Sequence, residues 1–138
     1  ATAIGVGECA GVVIDLVATL LFDAEEKLAW GAEMLDNKQY ADGIYHAYSS
    51  FVQTAKSLLL GEGISCNTQH GIINDFDKNF VATGKLAVSG GFRQLVLQIN
   101  EHEPTESFAK QYYQQAADFY QQAQEYRQSV VAGEQVNG

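Results

Sequence analysis

The strongest constraint on the fold lies between residues 38 and 84, where apolar residues recur every three or four positions in two consecutive segments. The first segment contains Tyr40, Ile44, Tyr48, Phe51, Ala55 and Leu58. Residues spaced in this way share one face of an α-helix, so this segment predicts a helix with one buried side. Gly61 and Gly63 end that helix, Asn67 or Thr68 can cap a second one, and Gly84 ends the second. The second apolar face comprises Ile73, Phe76 and Phe80, and the two helices are expected to pack antiparallel.

Three further helices are predicted around this pair. Apolar residues keep helical spacing over residues 12–35, and a shorter stripe covers residues 92–99. The last helix should run from Glu106 to Val131, with Thr105 as its N-cap. Its buried face comprises Phe108, Tyr112, Ala116, Phe119, Ala123, Tyr126 and Val130.

Composition bounds the domain organisation. A chain of 138 residues is one domain by the usual relation of length to domain number, and a hydrophobic content of 46% excludes a disordered chain. One proline and 13 glycines favour long helices with glycine breaks. We therefore predict an all-α fold, an antiparallel bundle of four or five helices. It should consist of an irregular lead over residues 1–11, a helical domain over residues 12–132 and a frayed tail over residues 133–138.

Residues 40–84 resemble the HEPN domain, a family of small helical bundles. The resemblance rests on a helix rich in small and aromatic residues that ends in the apolar run Leu58 to Leu60 and a glycine loop. The next helix then opens with Thr68-Gln69-His70-Gly71, as in the family. The resemblance implies a helical bundle. Some members are ribonucleases and others support nucleotidyltransferases, so it implies no single activity.

The N-terminal run from Gly5 to Leu21 resembles the domain at the C-terminal end of some bacterial siroheme nitrite or sulfite reductase-like proteins. The chain also begins with Ala1, and residues 12–22 are apolar on nearly every side. We therefore expect this domain to be part of a longer protein. A preceding domain would cover part of the first helix, which would leave an apolar patch on the isolated domain. The residues in question are Ile4, Val6, Val12 and Leu16.

The charge of the chain argues against nucleic acid as a partner. Seventeen acidic side chains against eight basic ones give a net charge of −9. Binding to a phosphate backbone is driven by Lys and Arg, and this sequence contains no cluster of them. In HEPN ribonucleases an arginine is followed by a histidine after about four to six residues. Arg93 and His102 are separated by eight residues and a loop, and Arg127 follows every histidine, so we expect no catalytic residues in this domain.

Several side chains are candidates for a ligand site or an interface. Asp42 and His46 lie one helical turn apart and could form a hydrogen bond, a metal pair or a surface contact, of which we favour the last. A metal would need two more ligands, and His70 is the only histidine candidate on the next helix, where it is more simply bonded to the backbone. Tyr45, Tyr48 and Tyr112 could line a groove that stacks a nucleotide, but aromatic residues at helical spacing more often form a core or an interface. We expect no metal and no cofactor in this domain.

The cysteines and the most apolar segment favour a cytoplasmic protein. Cys9 and Cys66 are far apart and show no zinc spacing, so we expect reduced thiols. The apolar stretch over residues 10–22 contains Asp15 and is shorter than the roughly 20 residues that cross a bilayer. It is therefore predicted to be a buried helix.

These observations favour a non-catalytic, HEPN-like module for protein–protein association. Its last helix and the helix over residues 40–60 carry more large apolar residues than one buried face requires, which predicts a homodimer. Other domains of the same chain are the second expected partner. A divergent HEPN ribonuclease or toxin, and a nucleotide-binding helper of a nucleotidyltransferase, are the alternatives.

Overall fold

The computed structural model describes residues 2–137, with side chains over residues 12–133. Within this range the chain forms five α-helices and no strand. They are α1 (Thr2–Asp36), α2 (Tyr40–Gly61), α3 (Gln69–Phe76), α4 (Phe92–Val96) and α5 (Glu106–Asn137). A π-helical turn over residues 77–81 follows α3, and a 3-10 turn over residues 97–100 follows α4. The all-α prediction is confirmed.

The three long helices pack against one another along their lengths. Leu35 near the end of α1 lies against Gly43 at the start of α2, where a Cβ atom would come within 2.8 Å of Leu35 Cδ2. Gly43 therefore allows the two antiparallel helices to approach closely. Tyr113, in the first half of α5, lies against the end of α1, and Arg127, in its second half, lies against the end of α2. Helix α5 therefore runs antiparallel to α1 and parallel to α2.

Both ends of the chain differ from the prediction. Helix α1 begins at Thr2, so the irregular lead predicted over residues 1–11 is wrong for residues 2–11. Helix α5 continues to Asn137, beyond the predicted end at Val131, and residues 133–137 are helical rather than an irregular tail. Glycine lowers helix stability by only about 1 kcal/mol relative to alanine, and neither segment contains proline, so both can extend the neighbouring helix.

An aromatic core joins α2, α3, α4 and α5. The ring centroids of Phe76 and Phe92 lie 4.6 Å apart, those of Phe92 and Phe119 lie 5.0 Å apart, and those of Phe51 and Tyr112 lie 5.2 Å apart. All five side chains are buried. The predicted buried face of α5 is confirmed from Phe108 to Ala123, and that of α2 is confirmed apart from the half-buried Tyr40 and Tyr48.

Local hydrogen bonds fix where the shorter helices begin. Thr68 Oγ1 accepts the backbone N–H of Gly71 at 3.0 Å, which confirms Thr68 rather than Asn67 as the cap of α3. At the start of α4, the carboxylate of Asp77 accepts the backbone N–H groups of Phe92 at 2.7 Å and Arg93 at 2.9 Å. Asp77 thus attaches α4 to the π-helical turn after α3.

The turn before α4 requires glycine. Gly91 has a φ of 92°, a conformation that residues with a side chain rarely adopt.

Thr105 caps α5, because its Oγ1 accepts the Phe108 N–H at 3.1 Å. The helix caps that the sequence predicted at Thr68 and Thr105 are therefore both formed.

Candidate functional site

Large apolar side chains are exposed along α1. The exposed fraction reaches 56% at Val12 and 58% at Phe22. The complete set of large exposed apolar residues, within the described side chains, is Val12, Ile14, Leu16, Phe22 and Trp30 on α1 and Tyr45 on α2. Val12 and Leu16 are exposed, as expected of the isolated domain, so the prediction that residues 10–22 form a buried helix is wrong for these side chains. Ile4 and Val6 lie outside the described side chains. Helix α1 thus carries most of the apolar surface that no other part of the described chain covers.

A groove of about 310 Å³ runs between the first half of α1 and the last half of α5. We call it the α1–α5 groove, and its main lining residues are Ile14, Val17, Leu21, Arg127, Gln128 and Val131. A second depression of about 300 Å³ shares Leu21 and Arg127 with it and extends to Phe22 and Tyr120. The two depressions form one continuous surface that is mainly apolar.

Arg127 is the cation of this groove. Its guanidinium lies over Gly61, where a Cβ atom would come within 2.8 Å of Nη1. Among the described side chains it forms no salt bridge. At the far end of the surface the Tyr120 hydroxyl donates to Glu25 at 3.4 Å, and burial together with the Glu25 charge raises the pKa of Tyr120. The groove therefore presents a positive group between apolar walls, with a neutral phenol at one end.

Trp30, Tyr45 and His46 form an aromatic cluster where α1 packs on α2. The His46 ring meets Trp30 edge to face at a centroid distance of 5.7 Å and Tyr45 at 5.9 Å. The ammonium of Lys27 lies 4.8 Å from the centre of the Trp30 ring. His46 Nδ1 is buried without a hydrogen-bond partner, so the possible hydrogen bond from this nitrogen to the Asp42 carboxylate is not formed. The packing of α1 on α2 thus adds Trp30 to Tyr45 and His46, two predicted candidates that are adjacent in the sequence.

Tyr48 and Tyr112 do not join that cluster. Tyr112 is completely buried, its hydroxyl donates to the carbonyl of Val96 at 2.7 Å, and burial raises its pKa well above the usual value for a phenol. The Tyr48 hydroxyl donates to Gln69 Oε1 at 2.8 Å. Tyr112 therefore belongs to the core, and the three tyrosines line no common groove that could stack a nucleotide.

His70 lies in a polar chain on another surface. Its Nε2 is 3.0 Å from Nδ2 of Asn74, and Asn74 Oδ1 accepts from Nη1 of Arg93 at 3.1 Å. His102 instead stacks on Phe108 at 4.4 Å. Helix packing thus brings Arg93 towards His70, a pair that spacing along the sequence could not reveal. Only the position of both residues near the start of a helix was visible in the sequence.

Cys66, the cysteine whose side chain the structure describes, carries a protonated thiol. Cys66 Sγ donates to the Asp75 carboxylate at 2.6 Å, and this hydrogen bond raises the pKa of Cys66. The side chain of Cys9 lies outside the described residues. Over the described part of the chain, His, Cys, Asp and Glu form no group of three or more that could hold a metal ion.

A sequence profile of the HEPN domain matches residues 17–129, more than half of the chain. The chain belongs to the HEPN domain family. Neither the curated proteins nor the solved structures yield a match. The matched range contains α2, α3 and α4 entirely and most of α1 and α5. Membership in the HEPN family accounts for the helical fold, but it specifies neither an activity nor a partner.

We expect this HEPN domain neither to cleave RNA nor to bind it appreciably at moderate salt. The guanidinium of Arg93 already donates to Asn74, the carboxylate of Asp75 is on the same helix as Asn74, that of Asp77 is on the π-helical turn that follows, and the net charge is −9. Such a surface repels a phosphodiester. The measurement is incubation of the domain with labelled RNA. Cleavage that disappears in Arg93→Ala together with His70→Ala or His102→Ala would contradict this expectation.

None of the helices in the described part of the chain combines the length and the hydrophobicity that crossing a membrane requires.

Proposed function

We propose that this HEPN domain is a non-catalytic, cytoplasmic association module that forms a homodimer through α1. The observation that carries the proposal is the exposure of Ile14 and Phe22 on α1 at the α1–α5 groove and its extension. Burial of a side chain such as Ile14 or Phe22 contributes about 1.5–3 kcal/mol relative to its exposure. A few such contacts are enough to favour association.

The surface proposed for the dimer differs from the one that the sequence suggested. The sequence argument rested on surplus aromatic residues in α2 and α5. The fold uses many of these within the chain, because Tyr112 and Tyr120 are buried and Phe51 contacts Tyr112, Phe92 and Phe119. Most of the large apolar side chains that remain exposed in the described part of the chain lie on α1.

The α1 surface has the shape that a symmetric contact needs. A two-fold dimer applies the same patch of both copies to each other, so the patch must contain both a depression and a group that fills it. Here the depression is the α1–α5 groove. The protruding group is Phe22, which lies at the edge of this groove and is 58% exposed. We propose that Phe22 of each copy enters the groove of the other.

The same surface is suited to a second occupant. Residues 5–21 resemble the C-terminal domain of nitrite or sulfite reductase-like proteins, and we propose that such a context would place another domain of the same chain on α1. The function would remain association. Only the partner would change, from a second copy to a covalently attached domain.

Light scattering tests the homodimer. At micromolar concentration the mass should be twice 15.0 kDa. The substitution Ile14→Glu places a charge in the groove that Phe22 of the other copy would enter, so the dissociation constant should rise about 30-fold or more, since an unpaired buried charge costs at least about 2 kcal/mol. Gln111→Glu, which adds the same charge at an exposed position of α5, is the matched control and should leave the mass unchanged.

A mass of 15.0 kDa for the unaltered domain at tens of micromolar would reject the homodimer. Equal helix content of the two variants by circular dichroism would show that Ile14→Glu acts on association and not on folding. If the isolated domain is monomeric but associates with an upstream part of its own chain, the second occupant is the correct one.

A further inference from the structure

We infer that the aromatic cluster of Trp30, Tyr45 and His46 is a docking site for a basic peptide segment of a partner protein. An arginine or lysine of that segment would lie against the two exposed rings. The site is independent of the proposed dimer contact, because Val12, Leu16 and Phe22 lie in the first half of α1 and Trp30 lies in its last two turns.

The two outer rings of the cluster are exposed but held in place. Trp30 is 46% exposed and Tyr45 is 61% exposed, and both rest against the half-buried His46. Exposed aromatic residues with fixed positions lose little freedom when a partner binds. Trp and Tyr are also the residue types that most often dominate the energy of protein interfaces.

The Trp30 ring already binds a cation from its own chain. The ammonium of Lys27 lies 4.8 Å from the ring centre, within the range of a cation–π contact. Lys27 has no carboxylate at salt-bridge distance among the described side chains, so only this weak contact holds it. A guanidinium from a partner can replace it, because arginine stacks on aromatic rings better than lysine.

Carboxylates surround the cluster. Glu26 and Glu33 lie four residues before and three residues after Trp30, and Asp42 lies three residues before Tyr45, so each is a neighbour on the helix surface. All three are exposed, and within the described residues none forms a salt bridge. The local potential is therefore negative. It attracts a basic partner and repels both nucleic acid and a second copy of a chain with a net charge of −9.

The spacing of these carboxylates selects a peptide rather than a small cation. Glu26 and Glu33 are two turns apart, which corresponds to about 10 Å along α1. An extended peptide covers that length with about three residues. A segment with two or three basic side chains could therefore contact both carboxylates and the rings together, whereas a small cation could contact only one group.

The single tryptophan of the chain reports on this site directly. The sequence contains one Trp, so fluorescence excited at the red edge of the tryptophan absorption band, where tyrosine absorbs little, comes from Trp30. Titration with hexa-arginine at physiological ionic strength should change this fluorescence in a saturable way, and hexa-glutamate should not. In parallel, the anisotropy of labelled hexa-arginine gives affinities for variants that lack Trp30.

Two substitutions should act in opposite directions. Trp30→Leu should weaken binding about three- to tenfold, the range expected for a partly desolvated cation–π contact. Lys27→Ala should strengthen binding about two- to fivefold, because it frees the ring and removes a like charge. A change in the same direction for both variants would overturn the proposal.

Matched charge variants separate the site from general attraction by an acidic protein. The pair Glu26→Gln and Glu33→Gln should weaken binding clearly more than Asp118→Asn and Glu125→Gln, which remove the same charge from exposed positions on α5. Equal effects of the two pairs would overturn the proposal, as would competition by tetramethylammonium as effective as that by hexa-arginine. The Ile14→Glu monomer should bind hexa-arginine as the unaltered domain does, so failure of this proposal and failure of the dimer are distinguishable.

Discussion

Phe51→Ala should lower the free energy of unfolding by about 3–5 kcal/mol, the usual cost of removing a buried phenylalanine ring. The Phe51 ring is fully buried, and its centroid lies 5.2 Å from that of Tyr112, 5.7 Å from Phe119 and 6.2 Å from Phe92. It therefore joins α2 to α4 and α5. Equilibrium unfolding in urea, followed by the far-ultraviolet circular dichroism of the helices, measures this loss of stability.

Phe22→Ala is the control for this substitution. It removes the same side chain from a position that is 58% exposed, so in the monomeric Ile14→Glu background it should change the free energy of unfolding by less than about 0.5 kcal/mol. A loss below about 1 kcal/mol for Phe51→Ala would show that the aromatic core is not packed as described.

The core was predictable from the sequence because helical spacing decides which residues face inward. Phe51 and Leu58 in α2 and Phe108, Ala116 and Phe119 in α5 all follow steps of three or four, and all are buried. The caps Thr68 and Thr105 were predictable for a similar reason, because a cap depends on residues within one turn of it. Local patterns thus determine helix faces and most helix starts.

The start of α1 was not predictable in this way. The glycines within residues 1–11 suggested an irregular segment, yet the helix begins at Thr2. Glycine weakens a helix without preventing it, so its presence cannot locate a boundary as proline can. The π-helical turn over residues 77–81 was likewise hidden, because its sequence continues the helical pattern of α3.

The candidate sites depended on contacts between helices, which no local pattern records. Tyr45 and His46 were visible as candidates, but Trp30 was not, because it meets them only through the packing of α1 on α2. The link from Arg93 through Asn74 to His70 is of the same kind. The assignment of Tyr112 to the core also needed the fold, since its helical position fitted both a core and an interface.

One helix therefore presents two surfaces of different chemistry. The first half of α1 exposes aliphatic residues and Phe22 beside the α1–α5 groove, whereas its second half combines Trp30 with exposed carboxylates such as Glu26 and Glu33. Apolar and charged surfaces select different partners, because burial drives contact at the first and charge complementarity drives it at the second. A dimer formed through the first half would leave both copies of the second half accessible.

Above a pH of about 10 this domain should lose stability steeply. Burial raises the pKa of Tyr112 well above its ordinary value, and burial also raises the pKa of Tyr48, Tyr113, Tyr120 and Tyr126. The folded pKa of each group lies above its unfolded pKa of about 10. The neutral phenols therefore contribute their full stability below that pH, and the contribution is lost as the pH rises towards the folded pKa. Each such group lowers the free energy of unfolding by at most about 1.4 kcal/mol per pH unit.

Tyr112→Phe isolates the largest of these contributions. At neutral pH it should lower the free energy of unfolding by about 1 kcal/mol, because the hydrogen bond to the Val96 carbonyl is lost. Between a pH of about 10 and about 11 it should lose stability less steeply than the unaltered domain, since one titrating phenol has been removed. Urea midpoints measured at several pH values for both proteins give the two slopes. Identical slopes above pH 10 or so would show that the Tyr112 hydroxyl titrates in the folded domain as it does in the unfolded chain.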